Sequence, residues 1–231
     1  MNARHPPGLL EGAFLILRKD LLIEWHTRAR LNALLFFALA TLLIFSFALG
    51  PDTKLLEQNA GGYLWLAILF ASLMALGESF RVERENASLD GLRLLPVNPR
   101  AVFLGKALGN AAILFGLSLV LIPVMVGLFG VSLALGLGSL GLILVLGCLA
   151  ISAPGTLYSA IASNARARDV LLPLLLFPLI IPALLAAVKA TSLVFQGDPM
   201  SQLNSWLLLL GGFNLTYWGL GVALFPQVIE E

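Results

Sequence analysis

The chain has 231 residues, of which 59% are apolar and only 12% are charged, and its mean hydropathy is +0.94. Soluble domains carry about 25% charged residues, so this composition excludes an ordinary water-soluble globule. The formal net charge is only +1, which argues against nucleic-acid binding because that function requires a basic face able to neutralise phosphates.

The first predicted element is an amphipathic helix at about residues 9–26. Its apolar residues recur at helical spacing, and the charged residues between positions 18 and 24 lie on the other side. This pattern is typical of a helix lying along a membrane interface. It also leaves open a sharper role, a lever that packs on another subunit. The candidate residues of this interfacial helix are Phe14, Leu17, Arg18, Leu21 and Trp25.

Six apolar segments follow. A helix needs roughly 20 apolar residues to cross a bilayer core of about 30 Å. No charge occurs between residues 107 and 165, a run that is too long for one crossing and predicts two spans joined by a turn near 127–130. The predicted spans are 31–50, 58–77, 103–127, 131–153, 170–190 and 205–225. They lack the alternating pattern of barrel strands, so we predict an all-α integral membrane fold, with residues 1–231 as a single transmembrane domain.

Orientation follows from the distribution of cations. All but two of the 14 Lys and Arg residues fall in the N-terminal segment and in the second and fourth connecting loops; the exceptions are Lys54 and Lys189. The side of a membrane that retains Lys and Arg is normally cytoplasmic. We therefore expect both termini and the loops at 78–106 and 163–169 to lie in the cytoplasm.

The segment at about 78–96 mixes charges of both signs with leucines at helical spacing. Such a pattern favours a short helix with one apolar edge. It fits either a solvated loop or a helix that docks on a soluble partner. The residues that could make this contact with a soluble partner, called the coupling residues below, are Glu78, Arg81, Glu83, Arg84, Glu85, Leu89, Asp90, Leu92 and Arg93.

Catalytic and metal-binding patterns are missing from the sequence. With two histidines and one cysteine, the chain offers no cluster for a zinc or two-histidine haem site. Around Lys106, the phosphate-loop pattern fails because Arg100 replaces its first glycine and Ala107 its hydroxyl residue. We therefore expect no enzyme activity, no metal and no directly bound cofactor.

The predicted spans contain almost no ionisable residues, which argues against an autonomous ion-coupled transporter. Small polar residues do occur in or near them, and in membranes such residues usually hold helices together through hydrogen bonds. We expect that structural role for Asn110, Ser118, Ser159, Asn164, Asn214 and Thr216.

The order of these elements resembles the permease half of an ABC transporter of the ABC-2 type. Particular motifs resemble a narrower group, the haem exporter protein B family (CcmB) of cytochrome c maturation. They are GPDTKLL at 50–56, AGGYLWLA at 60–67, SLDGLRLLP at 88–96, LGK at 104–106, APG at 153–155 and ARARD at 165–169. The similarity covers most of the chain, from about residue 21 to 190.

This resemblance implies a subunit of the bacterial inner (cytoplasmic) membrane that pairs with a separate CcmA-type ATPase, with CcmC, CcmD and the haem chaperone CcmE, and with a second copy of itself. It implies that ATP is bound by the ATPase partner, that haem is carried by partner proteins, and that ATP hydrolysis drives release of haem-loaded CcmE. Two alternatives remain open: an ABC-2-type permease exporting another lipid or small molecule, and a non-transporting scaffold for maturation proteins.

Overall fold

The computed structural model describes residues 8–50, 52–80, 98–132, 136–163, 168–198 and 200–230. Within those ranges the chain forms seven helices and no strand. Their bounds are α1 Leu9–Thr27, α2 Ala29–Leu49, α3 Thr53–Ser79, α4 Pro99–Phe129, α5 Gly136–Ser163, α6 Arg168–Gln196 and α7 Leu203–Glu230. Six of them, α2 to α7, are long and apolar enough to cross a membrane. The predicted all-α membrane fold is confirmed.

Several helices extend beyond the apolar segments that predicted them. α3 begins at Thr53, five residues before the predicted span, because the Asp52 side chain accepts hydrogen bonds from the backbone N–H groups of Lys54 and Leu55. Such a cap satisfies N–H groups that a helix start otherwise leaves unpaired. Hydropathy marks the part of a helix that suits lipid, whereas capping sets where the helix begins.

Prolines lie inside four of the membrane-length helices without ending them. α4 continues through Pro123, α5 through Pro154, α6 through Pro173, Pro178 and Pro182, and α7 through Pro226. A proline inside a helix removes one backbone hydrogen bond, a loss that neighbouring helices can offset inside a bundle. α4 ends instead at Phe129, before Gly130, whose φ of 64° is left-handed and therefore suits glycine.

The six long helices run antiparallel, so their ends form two groups. At one end, called the α1 end, α2 begins near the last turn of α3: Arg30 hydrogen-bonds the carbonyl of Ala75. At the opposite end, Gln196 of α6 donates to the carbonyl of Gln58 in α3. The charged residues of α1 and the start of α4 thus share one end of the bundle.

α3 lies at the centre and contacts α2, α4, α5 and α6. Its Trp65 is buried and donates its indole N–H to Thr191 of α6 at 2.9 Å. Gly147 of α5 faces the Trp65 ring so closely that a Cβ there would overlap it. Small residues that allow close backbone approach are typical of helix packing in lipid. They let a bulky ring fill the middle of this bundle.

Candidate functional site

α1 packs across the first turns of α4. A Cβ added to Gly105 would lie 2.7 Å from the carbonyl oxygen of Ala13 and 2.7 Å from Cβ of Ile16, so the two backbones meet where glycine leaves room. One turn along α4, Gly109 faces Leu17 and Asp20 at ordinary contact distances. α1 is therefore fixed to α4 of its own chain.

Lys106 joins three helices at this end. Its side chain is buried, and Nζ donates to the carbonyl oxygen of Ser79, the last residue of α3, at 2.9 Å. Nζ also lies 3.4 Å from Oδ2 of Asp20 on α1 and 4.8 Å from the centre of the Phe80 ring. A buried cation needs such partners, and the negative end of the α3 dipole is a favourable one. Lys106 thereby connects α1, α3 and α4.

A second ion pair joins α1 and α2 to α3. Oε2 of Glu24, a residue only 7% exposed, lies 2.9 Å from Nη1 of Arg30. The other terminal nitrogen of Arg30 donates to the carbonyl of Ala75 at 2.5 Å. The sequence places Glu24 on the outer, polar side of α1, but its side chain turns inward to Arg30. Together the two pairs fix the second half of α1.

Behind the ion pairs lies a layer of neutral hydrogen bonds. Asn110 of α4 donates to Thr156 of α5 at 3.0 Å and to Ser79 of α3 at 3.3 Å. Ser159 of α5 donates to the carbonyl of Leu76 at 2.5 Å. These bonds cross between helices, as expected for Asn110 and Ser159.

The remaining small polar residues divide into two kinds. Asn214 also bonds between helices, to the carbonyl of Leu146 at 2.9 Å. Ser118 bonds the carbonyl of Phe115 in its own helix and also the Cys148 thiol of α5. Thr216 bonds instead to the carbonyl of Gly212 in its own helix, and Asn164 lies outside the described residues.

Aromatic side chains attach α7 to the same end. The Phe103 and Phe225 rings are 5.4 Å apart, Phe80 lies 6.2 Å from Phe225, and Trp218 lies 6.0 Å from Phe103. Ring pairs at these separations stabilise packing beyond the area they bury. The last turns of α3 and α7 and the first turn of α4 therefore form one connected cluster.

Only some of the residues predicted for the interfacial helix pack against the rest of the bundle. Leu17 and Leu21 are half-buried, whereas Arg18 is exposed, and the Phe14 and Trp25 side chains are 62% and 67% exposed. Leu17 and Leu21 therefore pack against α4 or α2, whereas the two largest side chains, Phe14 and Trp25, lie on the outside.

Of the predicted coupling residues, only Glu78 lies in the described part of the chain, half-buried in the last turn of α3. The other eight, from Arg81 to Arg93, lie outside it. The chain leaves the described region at Phe80 and returns at Asn98, which caps α4 by accepting from the N–H of Arg100 at 2.9 Å. Both points belong to the α1 end.

Four residues of this site escaped prediction: Asp20, Glu24, Arg30 and Lys106. A signal was present in the helical spacing of positions 13, 16, 20 and 24, which puts Asp20 and Glu24 on the face that carries Ala13 and Ile16. Among the residues that the structure describes, no group of three or more His, Cys, Asp or Glu could hold a metal ion.

The CcmB protein family model matches residues 12–228 of the chain. Heme exporter protein B of Pseudomonas aeruginosa is 31% identical over 210 residues, covering 90% of this chain and 93% of that protein. The protein of the same name from Rhodobacter capsulatus is 35% identical over 91% of this chain and 93% of its own length. Its counterpart in Escherichia coli K12 is 34% identical, over 85% and 87%.

The family match spans almost the whole chain, and the relatives align over most of their own lengths. Six apolar helices of membrane-crossing length fit the same conclusion. The chain is a multi-pass membrane protein and belongs to the CcmB family.

Proposed function

We propose that the chain is the membrane subunit of an ATP-driven complex of cytochrome c biogenesis, in which a separate CcmA-type ATPase hydrolyses ATP. Membership of the CcmB family and relatives named Heme exporter protein B support this assignment. The observation that carries the coupling is the pair of contacts made by Lys106, because they link α1 to both helix ends that flank the segment 81–97.

In this proposal the ATPase binds segment 78–96 and the exposed side of α1. Closure of two ATPase subunits around ATP pushes on these two elements in two copies of the chain. Lys106 and the Glu24–Arg30 pair pass the force to α2, α3 and α4, because each joins α1 to a membrane-spanning helix. Packed helices move as rigid bodies between discrete arrangements, so the motion reaches the far end of the bundle.

The orientation that this mechanism requires places the α1 end in the cytoplasm, with both termini there, in the inner membrane of a bacterium. Cations support it: Arg30, Arg100 and Lys106 lie at the α1 end, whereas the described cations toward the far end are Lys54 and Lys189. The side that keeps Lys and Arg is normally cytoplasmic.

The transmitted motion would serve release of the haem-loaded chaperone CcmE, with CcmC and CcmD as further partners and haem held by those proteins. A deletion strain tests this role. We expect haem-loaded CcmE to accumulate while c-type cytochromes are lost, and a plasmid copy of the gene to restore them. Normal cytochrome c levels in the deletion strain would refute the assignment.

An ATPase-inactive CcmA variant separates coupling from scaffolding. An energy-coupled subunit loses cytochrome c assembly when its ATPase is inactive, whereas a scaffold retains it. Contact between the two subunits is tested by replacing Arg81, Glu83, Arg84, Leu89 and Leu92 together with alanine. We expect CcmA to stop co-purifying, while a matched control that replaces Lys54 and Glu57 at the far end keeps it. Co-purification that survives the fivefold replacement would contradict the proposed contact.

A further inference from the structure

A groove opens on the side of the bundle between α1, α2 and α4. Its cavity volume is about 460 Å³, within the roughly 300–1,000 Å³ range of small-molecule sites. On α4 it follows one face from Ala112 to Val120, a length of about 12 Å at the helical rise. Its lining is apolar except at the α1 end, where Glu24 and Trp25 close it.

The one carboxylate in this lining has an unused acceptor. Oε2 of Glu24 is bound by Arg30, but its Oε1 is buried without a hydrogen-bond partner among the described residues. Nε of Arg30, the residue that binds the other oxygen of this carboxylate, is likewise buried and without a partner among the described residues. Buried polar atoms that lack partners are rare in folded proteins. A buried acceptor without a partner at the end of an apolar groove indicates an amphiphilic ligand.

We propose that this groove holds a membrane phospholipid whose headgroup carries a primary ammonium. One acyl chain would lie along Leu34, Ile113 and Leu117, and the ammonium would donate to Oε1 of Glu24. This site goes beyond the proposed coupling function and depends only on the chain's place in a membrane.

Two observations favour a lipid over a helix of a partner protein. A helix with its side chains is about 10–12 Å across. A groove of about 460 Å³ that extends over about 12 Å of length is narrower than that. The polarity is also one-ended, with a single acceptor at the interface and apolar lining beyond it, which matches a headgroup joined to an acyl chain. An anionic headgroup without an ammonium would place no cation against the carboxylate.

The test uses the purified full-length chain in bilayer nanodiscs of equal parts phosphatidylethanolamine and phosphatidylglycerol with identical acyl chains. Native mass spectrometry then counts the lipids that stay bound after release from the disc. We expect the unaltered chain to retain phosphatidylethanolamine preferentially. Glu24→Gln should reduce that preference about tenfold, the change in binding that accompanies loss of one charge-assisted hydrogen bond.

A groove-filling variant keeps the proposal testable if Glu24→Gln unfolds. Gly116 lines the groove, and a Cβ there meets no atom within 4 Å, so Gly116→Leu fills the groove without forcing helices apart. We expect it to lower lipid retention at least about tenfold. Gly127, farther along α4, also has open space around it but does not line the groove, so Gly127→Leu is the matched control and should retain lipid.

Equal retention by Gly116→Leu and the unaltered chain would overturn the site. Equal retention of the two headgroups by the unaltered chain would overturn the ammonium assignment. A photo-crosslinker at Val120 in the complex with partner subunits gives a third outcome: capture of lipid supports the proposal, and capture of a protein helix without lipid refutes it.

Discussion

Lys106 is the residue through which α1, α3 and α4 meet, and its side chain is buried. Its Nζ lies 2.9 Å from the Ser79 carbonyl oxygen and 3.4 Å from Asp20. Removing one partner of a buried pair leaves the other without compensation, which destabilises a protein far more than loss of a surface pair. The contribution of Lys106 to the stability of the protein therefore depends on the burial of its side chain.

Lys106→Met keeps the length of the side chain and removes the charge. We expect the free energy of unfolding to fall by about 1–3 kcal/mol, because the Ser79 carbonyl loses its charged donor and Asp20 loses the buried one of its two lysine partners. Thermal unfolding in detergent and hydrogen exchange along α1 measure it, and faster exchange in α1 should accompany the loss. Lys19→Met is the control: Lys19 also contacts Asp20, at 3.1 Å, but is 45% exposed, so it should change stability by less than about 1 kcal/mol. Equal effects would contradict this view of Lys106.

At the scale of the element, α1 is attached through small residues rather than large ones. The close approach occurs at Gly105 against Ala13 and Ile16, while Phe14 and Trp25 remain exposed. Inside a bilayer, lipid tails are as apolar as Phe or Leu, so large apolar side chains gain little by turning inward. Tight backbone packing and paired charges determine the docking face.

A glycine pair on α4 tests this attachment. Gly105→Ala places a Cβ 2.7 Å from the Ala13 carbonyl oxygen, a backbone atom that moves only with the helix, so we expect α1 to shift away and stability to fall by about 1–3 kcal/mol. At Gly109 the nearest atom is 3.7 Å away. Gly109→Ala should therefore be neutral or stabilising by up to about 1 kcal/mol through helix propensity. Hydrogen exchange of α1 in both variants is the measurement, and similar protection in the two would contradict the packing.

Much of the element structure was predictable, and the site was predictable only in part. The helical period of α1 and the charge-free segments of α2 to α7 are local signals, and they identified the helices. The docking face of α1 was not predictable in the same way, since Glu24 and Asp20 look like solvent-facing acids until Arg30 and Lys106 approach from distant positions in the chain. The role of residues 81–93 remains a prediction.

For the whole molecule, the proposed orientation separates the α1 end from the far end by the full thickness of a membrane. Lys54 near the start of α3 and Arg84 beyond its end then lie on opposite sides. The natural Cys148 is buried and does not compete with an introduced thiol for a polar maleimide. These positions therefore suit single-cysteine labelling.

We expect Lys54→Cys to react with an impermeant maleimide added outside intact inner membranes. Arg84→Cys should react only after the membrane is permeabilised. The positive-inside distribution of Lys and Arg is the physical reason. Labelling of both positions from the same side would contradict the six-span topology.

Coupling to the ATPase is the central claim, and site-specific photo-crosslinking in living cells tests it most directly. A crosslinker placed at Arg84 should capture the CcmA-type ATPase, and the same crosslinker at Lys54 should not. Capture from Lys54, or from neither position when the complex is assembled and active, would contradict the account.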